Sequence, residues 1–125
     1  MTGSGIIKCD SITAEYLDVD ITGSGRIELN NLQIEELDAE ISGSGNIALS
    51  GKGDLSDFEI TGSGSIRAMH FRHEESNSRI TGSGNIYVYA TEYLEAAITG
   101  SGDIYYTGFP DINKNITGSG NVRRY

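Results

Sequence analysis

The chain has one cysteine, one proline and no tryptophan among its 125 residues. Cys9 stands alone, so no disulfide can form within the chain and the fold does not rest on a disulfide framework. No apolar run approaches the ~18 residues of a membrane-spanning helix, and no basic and apolar leader precedes the first glycines. We therefore expect neither a membrane span nor a signal peptide in this chain.

Basic side chains are also scarce. Nine lysines and arginines stand against 18 acidic residues, which leaves a formal net charge of −9. Binding to nucleic acid or to an anionic membrane surface requires a basic patch, so neither is expected. The length is that of one domain, and we predict a single domain over residues 1–125.

Glycine, by contrast, is abundant and regularly spaced. The tripeptide Gly-Ser-Gly occurs seven times, at steps of 18 to 20 residues, and begins at Gly3, Gly23, Gly43, Gly62, Gly82, Gly100 and Gly118. A repeat of this period is typical of solenoids, in which each repeat forms one structural unit that stacks on its neighbours.

Apolar and polar residues alternate around every tripeptide. Apolar residues stand two positions before it at Ile21, Ile41, Ile60, Ile80, Ile98 and Ile116, and two positions after it at Ile7, Ile27, Ile47, Ile66, Ile86, Ile104 and Val122. This alternation indicates strands with one buried face, and no helical period accompanies it. The sequence therefore predicts an all-β, single-stranded parallel β-helix of about seven coils, expected to be right-handed, with glycines at its corners.

The coil motif Ile-Thr-Gly-Ser-Gly-x-Ile resembles the head GIN domain of auto-transporter adhesins of Bacteroidetes. The C-terminal segments 102–110 and 116–122 carry the resemblance most clearly, and it covers essentially the whole chain. The resemblance implies a β-helix located in the cell envelope or outside the cell, with no catalytic residues.

Carboxylates recur three and five residues before the tripeptide. In stacked coils they form two columns, Asp18–Asp38–Asp57 and Asp20–Glu40–Glu59. Neighbouring carboxylates about 5 Å apart repel each other by about 0.8 kcal/mol even in water. A weakly bound divalent cation or a basic partner would relieve this repulsion, and a solvated acidic surface is the alternative.

Tyrosines are concentrated in the last coils. The alternation places Tyr87 and Tyr105 at neighbouring outward positions, with Tyr89 two residues further along. Exposed tyrosines bind sugars or protein partners, whereas the alternative is cross-strand packing that stabilises the sheet. We predict Tyr87, Tyr89 and Tyr105 as binding candidates for a cell-surface glycan or protein.

Both histidines lie in the segment 70–75, whose composition differs from that of the other coils. Two histidines fall short of the three or four convergent ligands of a metal site, so we predict a surface loop here. The basic residues are scattered along the sequence.

The two ends of the solenoid differ. Lys114 and Arg124 occupy positions that are apolar in earlier coils, which marks the end of the core. The first coil has no comparable polar cap over Met1, Ile6, Ile7, Cys9 and Ile12. We expect this end to be covered by a preceding segment or by a second copy of the chain.

No nucleophile with its base, no set of catalytic carboxylates and no phosphate-binding loop emerges, so no enzyme activity is predicted. The predicted function is a non-catalytic structural or adhesin-like domain of the cell envelope or surface, without a cofactor other than the weak cation. A carbohydrate-active enzyme or glycan-binding module on the same scaffold is the alternative.

Overall fold

The computed structural model describes residues 2–125 as a continuous succession of β-strands. The strands are β1 (Thr2–Gly3), β2 (Ile6–Cys9), β3 (Ile12–Gly23), β4 (Arg26–Gly43), β5 (Asn46–Gly62), β6 (Ser65–Gly82), β7 (Asn85–Gly100), β8 (Asp103–Thr107), β9 (Asp111–Gly118) and β10 (Asn121–Arg124). All pairings among them are parallel and join them in one sheet, which winds into a solenoid of about six turns. The predicted all-β parallel β-helix is confirmed, and its seven corners bound about six turns rather than seven full coils.

The Gly-Ser-Gly repeat sets the register between coils. Gly43 lies beside Gly23 on one side and Gly62 on the other. The backbone ladder continues through the corner, because the Ser44 N–H donates to the Gly23 carbonyl oxygen at 3.0 Å. Equivalent positions therefore stack at the spacing of adjacent strands, about 4.8 Å.

The isoleucine columns form the core. Ile47 and Ile86, near the middle of the rod, are fully buried, and both pair with Ile66 between them. Burial decreases toward the ends, where Ile7 is 45% exposed and Ile112 is 36% exposed. The core thus lies along the axis of the solenoid and is covered least at its two ends.

The two glycines of a corner are required for different reasons. Gly82 has a φ of +120°, a conformation that side chains with a Cβ rarely adopt. Gly84 lacks a positive φ, but a Cβ there would lie 2.5 Å from the Gly64 carbonyl oxygen and 2.7 Å from Cγ2 of Ile60. The first glycine is required both by its conformation and by the close approach of the neighbouring coil, since a Cβ on Gly82 would lie 2.5 Å from the Gly62 carbonyl oxygen, whereas the second is required by close approach alone.

The segment 70–75 is not a surface loop, which corrects the prediction. It lies within β6, and Phe71 and His73 are buried in the core, while His70 points outward. The Phe71 ring occupies space that Gly53 leaves open, because a Cβ on Gly53 would lie 2.7 Å from Cζ of Phe71. The segment therefore enters the core because a large side chain in one coil packs against a glycine in the adjacent coil.

Differences in repeat length are absorbed as irregularities within the sheet. Register shifts occur between Leu29 and Leu32, between Ala48 and Ser50, and between Ala68 and Arg72. A bulge of this kind changes which residues face the core in the part of the strand that follows it.

Candidate functional site

Three tyrosines form an ordered cluster on the outer surface of the last coils. The rings of Tyr87 and Tyr105 stack with their centroids 5.0 Å apart and their planes 14° from parallel. Tyr125 packs edge-on against both rings, at 6.2 Å from Tyr87 and 6.1 Å from Tyr105. The parallel register causes this arrangement, since Tyr87 and Tyr105 are direct ladder neighbours.

A surface groove of about 770 Å³ begins at this cluster. We call it the aromatic groove, and its lining residues are Asn30, Ala48, Leu49, Ser50, Arg67, Met69, His70, Tyr87, Tyr89, Thr107 and Tyr125. They come from β4 to β8 and from the chain end, on the stretch that follows each corner. The groove therefore runs from coil to coil, along the axis of the solenoid.

The structure brings two of the three predicted binding candidates into the aromatic groove. Tyr87 and Tyr89 line it, whereas Tyr105 stands behind Tyr87 and supports its ring from the next coil. The guanidinium carbon of Arg72 lies 5.8 Å from the centre of the Tyr89 ring, within the range of a cation–π contact.

Sequence reasoning missed the polar part of the groove. Arg67 and His70 are exposed and line it, although the basic residues are scattered along the chain. Arg67 was recognisable from the repeat, since it precedes Tyr87 by one coil at the same offset from the corner. His70 was not, because the register shift after Ala68 changes the direction of the side chains that follow.

The predicted carboxylate columns stack as expected. Asp38 pairs in register with Asp18 and Asp57, and Glu40 pairs with Asp20 and Glu59. We call these six residues the acidic ladder. Further along, its two columns continue as Asn77 and Arg79.

Three carboxyl groups of the acidic ladder are harder to ionise than ordinary ones. Burial raises the pKa of Asp38, and the neighbouring Asp57 and Asp18 raise it further. A hydrogen bond that the Tyr16 hydroxyl donates to Asp38 Oδ2 at 3.4 Å acts in the opposite direction. The pKa values of Glu40 and Asp57 are also raised, chiefly by burial.

A smaller groove of about 360 Å³ lies beside the acidic ladder. Its acidic lining consists of Glu36, Asp38, Asp57, Glu75 and Glu95, and Tyr16 and Tyr93 stand at its sides. Within residues 2–125, no three histidine, cysteine or carboxylate side chains are grouped as the ligands of a metal ion. The two grooves thus differ in charge as well as in position.

None of the described segments is a helix long and apolar enough to cross a membrane.

The similarity to known proteins concerns the repeat and the fold, and not the two grooves. A family model described as "Putative auto-transporter adhesin, head GIN domain" matches residues 1–110. No curated protein matches the chain significantly.

Several crystal structures share the fold over the whole chain. One, described as a "putative lipid binding protein" from Parabacteroides distasonis, is 36% identical with a TM-score of 0.98. Another, described as a "putative adhesin" from Parabacteroides merdae, is 29% identical with a TM-score of 0.94. Each match covers 100% of this chain but only 51% and 57% of the respective structures, so the chain spans about half the length of these relatives.

Proposed function

This chain belongs to the family of auto-transporter adhesin head GIN domains, and from that premise we propose that it is a non-catalytic, adhesin-like domain of the cell surface or envelope. The observation that carries the proposal is the aromatic groove, where Tyr87 and Tyr89 present ring surface on a rigid sheet. Tyrosine supplies a large contact area with few rotatable bonds, so ordering it on binding costs little entropy. Such a surface is suited to recognition without chemistry.

The fold supports this function through rigidity. Equivalent residues on neighbouring coils are held in register by the backbone ladder, so ligand-binding side chains stand on strands rather than on loops. The Tyr87 ring is further fixed by Tyr105 behind it and Tyr125 at its edge. The structure of the groove is therefore formed before a ligand arrives.

A glycan and protein array tests the proposal, with Tyr87→Ala and Tyr89→Ala as variants. Tyr16→Ala is the matched control, because Tyr16 is also exposed but lies beside the acidic ladder. We expect at least one array ligand that both groove variants lose and the control retains. Equal binding by all three variants to every ligand would place recognition elsewhere.

One observation favours the alternative of a carbohydrate-active enzyme. Asp38 and Asp57 stand side by side with raised pKa values in a groove flanked by Tyr16 and Tyr93, and glycosidases use a pair of carboxyl groups in different protonation states. An assay of reducing sugars released from polysaccharides tests it. Release that Asp38→Asn abolishes would establish the enzyme, and the adhesin proposal expects none.

A further inference from the structure

The charge of the aromatic groove is opposite to that of the chain. The chain carries 18 acidic residues, yet no aspartate or glutamate side chain lines this groove among the residues that the structure describes. Arg67 lines it instead, and it has no ion-pair partner among residues 2–125. By contrast, Lys8 and Arg26, at the other end of the same face, both form ion pairs with Glu28. The groove is therefore electrostatically suited to an anion.

The arrangement of the cation and the rings further restricts the ligand. Arg67, Tyr87 and Tyr105 are successive residues of one column, since each pairs with the next across the sheet. Tyr105 covers one face of the Tyr87 ring, and Arg67 is the registered neighbour on the other side. The backbone positions of Arg67 and Tyr87 are thus one strand spacing apart, about 4.8 Å, so a ligand that contacts Tyr87 from the groove lies next to the strand that carries the Arg67 guanidinium.

The groove also has a direction and a repeat. Ser50 pairs with His70 and Tyr89 pairs with Thr107, so polar and aromatic groups recur at the coil spacing along the axis. That spacing is comparable to the length of one sugar unit in an extended oligosaccharide. Sugars combine apolar C–H faces, which stack on aromatic rings, with hydroxyl groups that bond to serine, threonine and asparagine.

We propose that the aromatic groove binds an acidic oligosaccharide, a chain of sugars bearing carboxylate groups, along the axis of the solenoid. Sugar rings lie against Tyr87 and Tyr89, and Arg67 binds a carboxylate. This proposal rests on the proposed adhesin-like function and names the ligand class of its groove. Arg67 provides the preference for acidic sugars, because the guanidinium fork matches a carboxylate in geometry and charge.

Calorimetric titration with galacturonic acid hexamers tests the proposal. The matched probe is the same hexamer with its carboxylates methyl-esterified, which keeps the rings and removes the charge. We expect the acid to bind about tenfold more tightly than the ester, and Arg67→Gln to weaken binding of the acid about tenfold while leaving the ester unaffected. Tyr87→Ala should weaken binding of both probes.

Arg79→Gln is the control variant, since Arg79 is an exposed arginine on the same strand β6 but stands in a column of the acidic ladder. The proposal is overturned if acid and ester bind equally, or if Arg67→Gln loses no more affinity than Arg79→Gln. It is also overturned if phosphatidylserine vesicles bind through Arg67 while the hexamer does not, because the groove would then recognise a charged lipid surface. In each of these cases the proposed adhesin-like function would still hold if the tyrosine variants lose array ligands that the unmodified chain binds. Release of reducing sugars from polysaccharides, in contrast, would contradict the adhesin-like function itself.

Discussion

His73 places an imidazole in the core between two phenylalanine rings. Its Nδ1 donates to the Phe71 carbonyl oxygen at 2.8 Å, so Nε2 carries no proton, and within residues 2–125 that nitrogen has no hydrogen-bond partner. The centre of the His73 ring lies 5.9 Å from the centre of the Phe58 ring and 5.2 Å from that of the Phe71 ring. Burial lowers the pKa of His73 from 6.5 to about 4.

This pKa makes the stability of the fold depend on pH in a defined direction. Between pH 6.5 and about 4 the unfolded chain binds a proton that the folded chain does not, so stability falls as the pH falls through this window. The loss is about 3 kcal/mol by the free-energy equivalent of the pKa difference. We expect His73→Leu to remove this loss, as measured by urea unfolding at pH 7 and pH 4.5. His70→Leu, which changes the exposed histidine of the same strand, should leave it unchanged, and equal pH dependence of both variants would contradict the assignment.

The corner glycines give a second prediction at the scale of single residues. Gly84→Val should destabilise the fold far more than Ser50→Val, because a Cβ at Gly84 meets the Gly64 backbone and Ile60, whereas Ser50 is half-buried and its hydroxyl donates to Asn30. We expect Gly84→Val to cost several kcal/mol, in the range of strongly destabilising mutations, and Ser50→Val about 1 kcal/mol. Similar melting temperatures of the two variants would refute the corner geometry.

At the scale of the coil, the acidic ladder places like charges next to one another. The raised pKa values of Asp38, Glu40 and Asp57 mean that the folded chain takes up protons at a higher pH than the unfolded chain. These three groups therefore add stability as the pH falls toward their pKa values, opposite in sign to His73. Asp38→Asn should remove part of this gain on acidification, which is best measured in a His73→Leu background.

Cations provide a separate test of the acidic ladder. Raised salt should increase the melting temperature, because it screens the repulsion between neighbouring carboxylates. If the ladder binds calcium, millimolar calcium chloride should raise the melting temperature more than sodium chloride of the same ionic strength, and Asp38→Asn should reduce the difference. Equal effects of the two salts would leave screening alone, and no effect of either would remove the repulsion argument.

The coil is also the scale at which the sequence was most informative. A tripeptide at steps of 18 to 20 residues, with isoleucines at fixed offsets, determined the register and thereby the Tyr87–Tyr105 stack and the acidic ladder. What it did not predict lies beyond the bulges. After Ala68 the inward direction shifts by one residue, so Phe71 and His73 enter the core where simple alternation from the corner would place neither. The position of His70 in the aromatic groove was not predictable for the same reason, whereas that of Arg67, which precedes the bulge, was.

At the scale of the whole solenoid, the first and the last coil of this chain expose different kinds of residue. Lys114 and Arg124 are exposed at the C-terminal end, in columns where Ala96 and Tyr106 stand one coil earlier. The guanidinium carbon of Arg124 lies 3.8 Å from the centre of the Phe109 ring, in a cation–π contact, although Phe109 stays largely exposed. Charge at inward positions discourages further stacking, so this end opposes association with another chain.

The first coil has no such protection among the residues that the structure describes, and Met1, which was expected to belong to this uncapped end, lies outside them. Ile6 is 66% exposed and Ile7 is 45% exposed, and β2 pairs with β4 on one side only. An open edge with exposed isoleucine is a site at which strands of two chains pair.

We therefore expect this chain in isolation to form dimers through its first coil. Ile7→Lys should shift the population toward monomer, because a lysine there places charge in the contact, whereas Ser119→Lys, at the other end of the rod, should leave it unchanged. Light scattering across the micromolar range measures the mass, and hydrogen exchange of the middle coils shows whether Ile7→Lys remains folded. The expectation is contradicted if the chain stays monomeric at high micromolar concentration and amide protection in the first coil equals that in β5. The edge of the first coil would then be as stable as the interior of the solenoid without a partner.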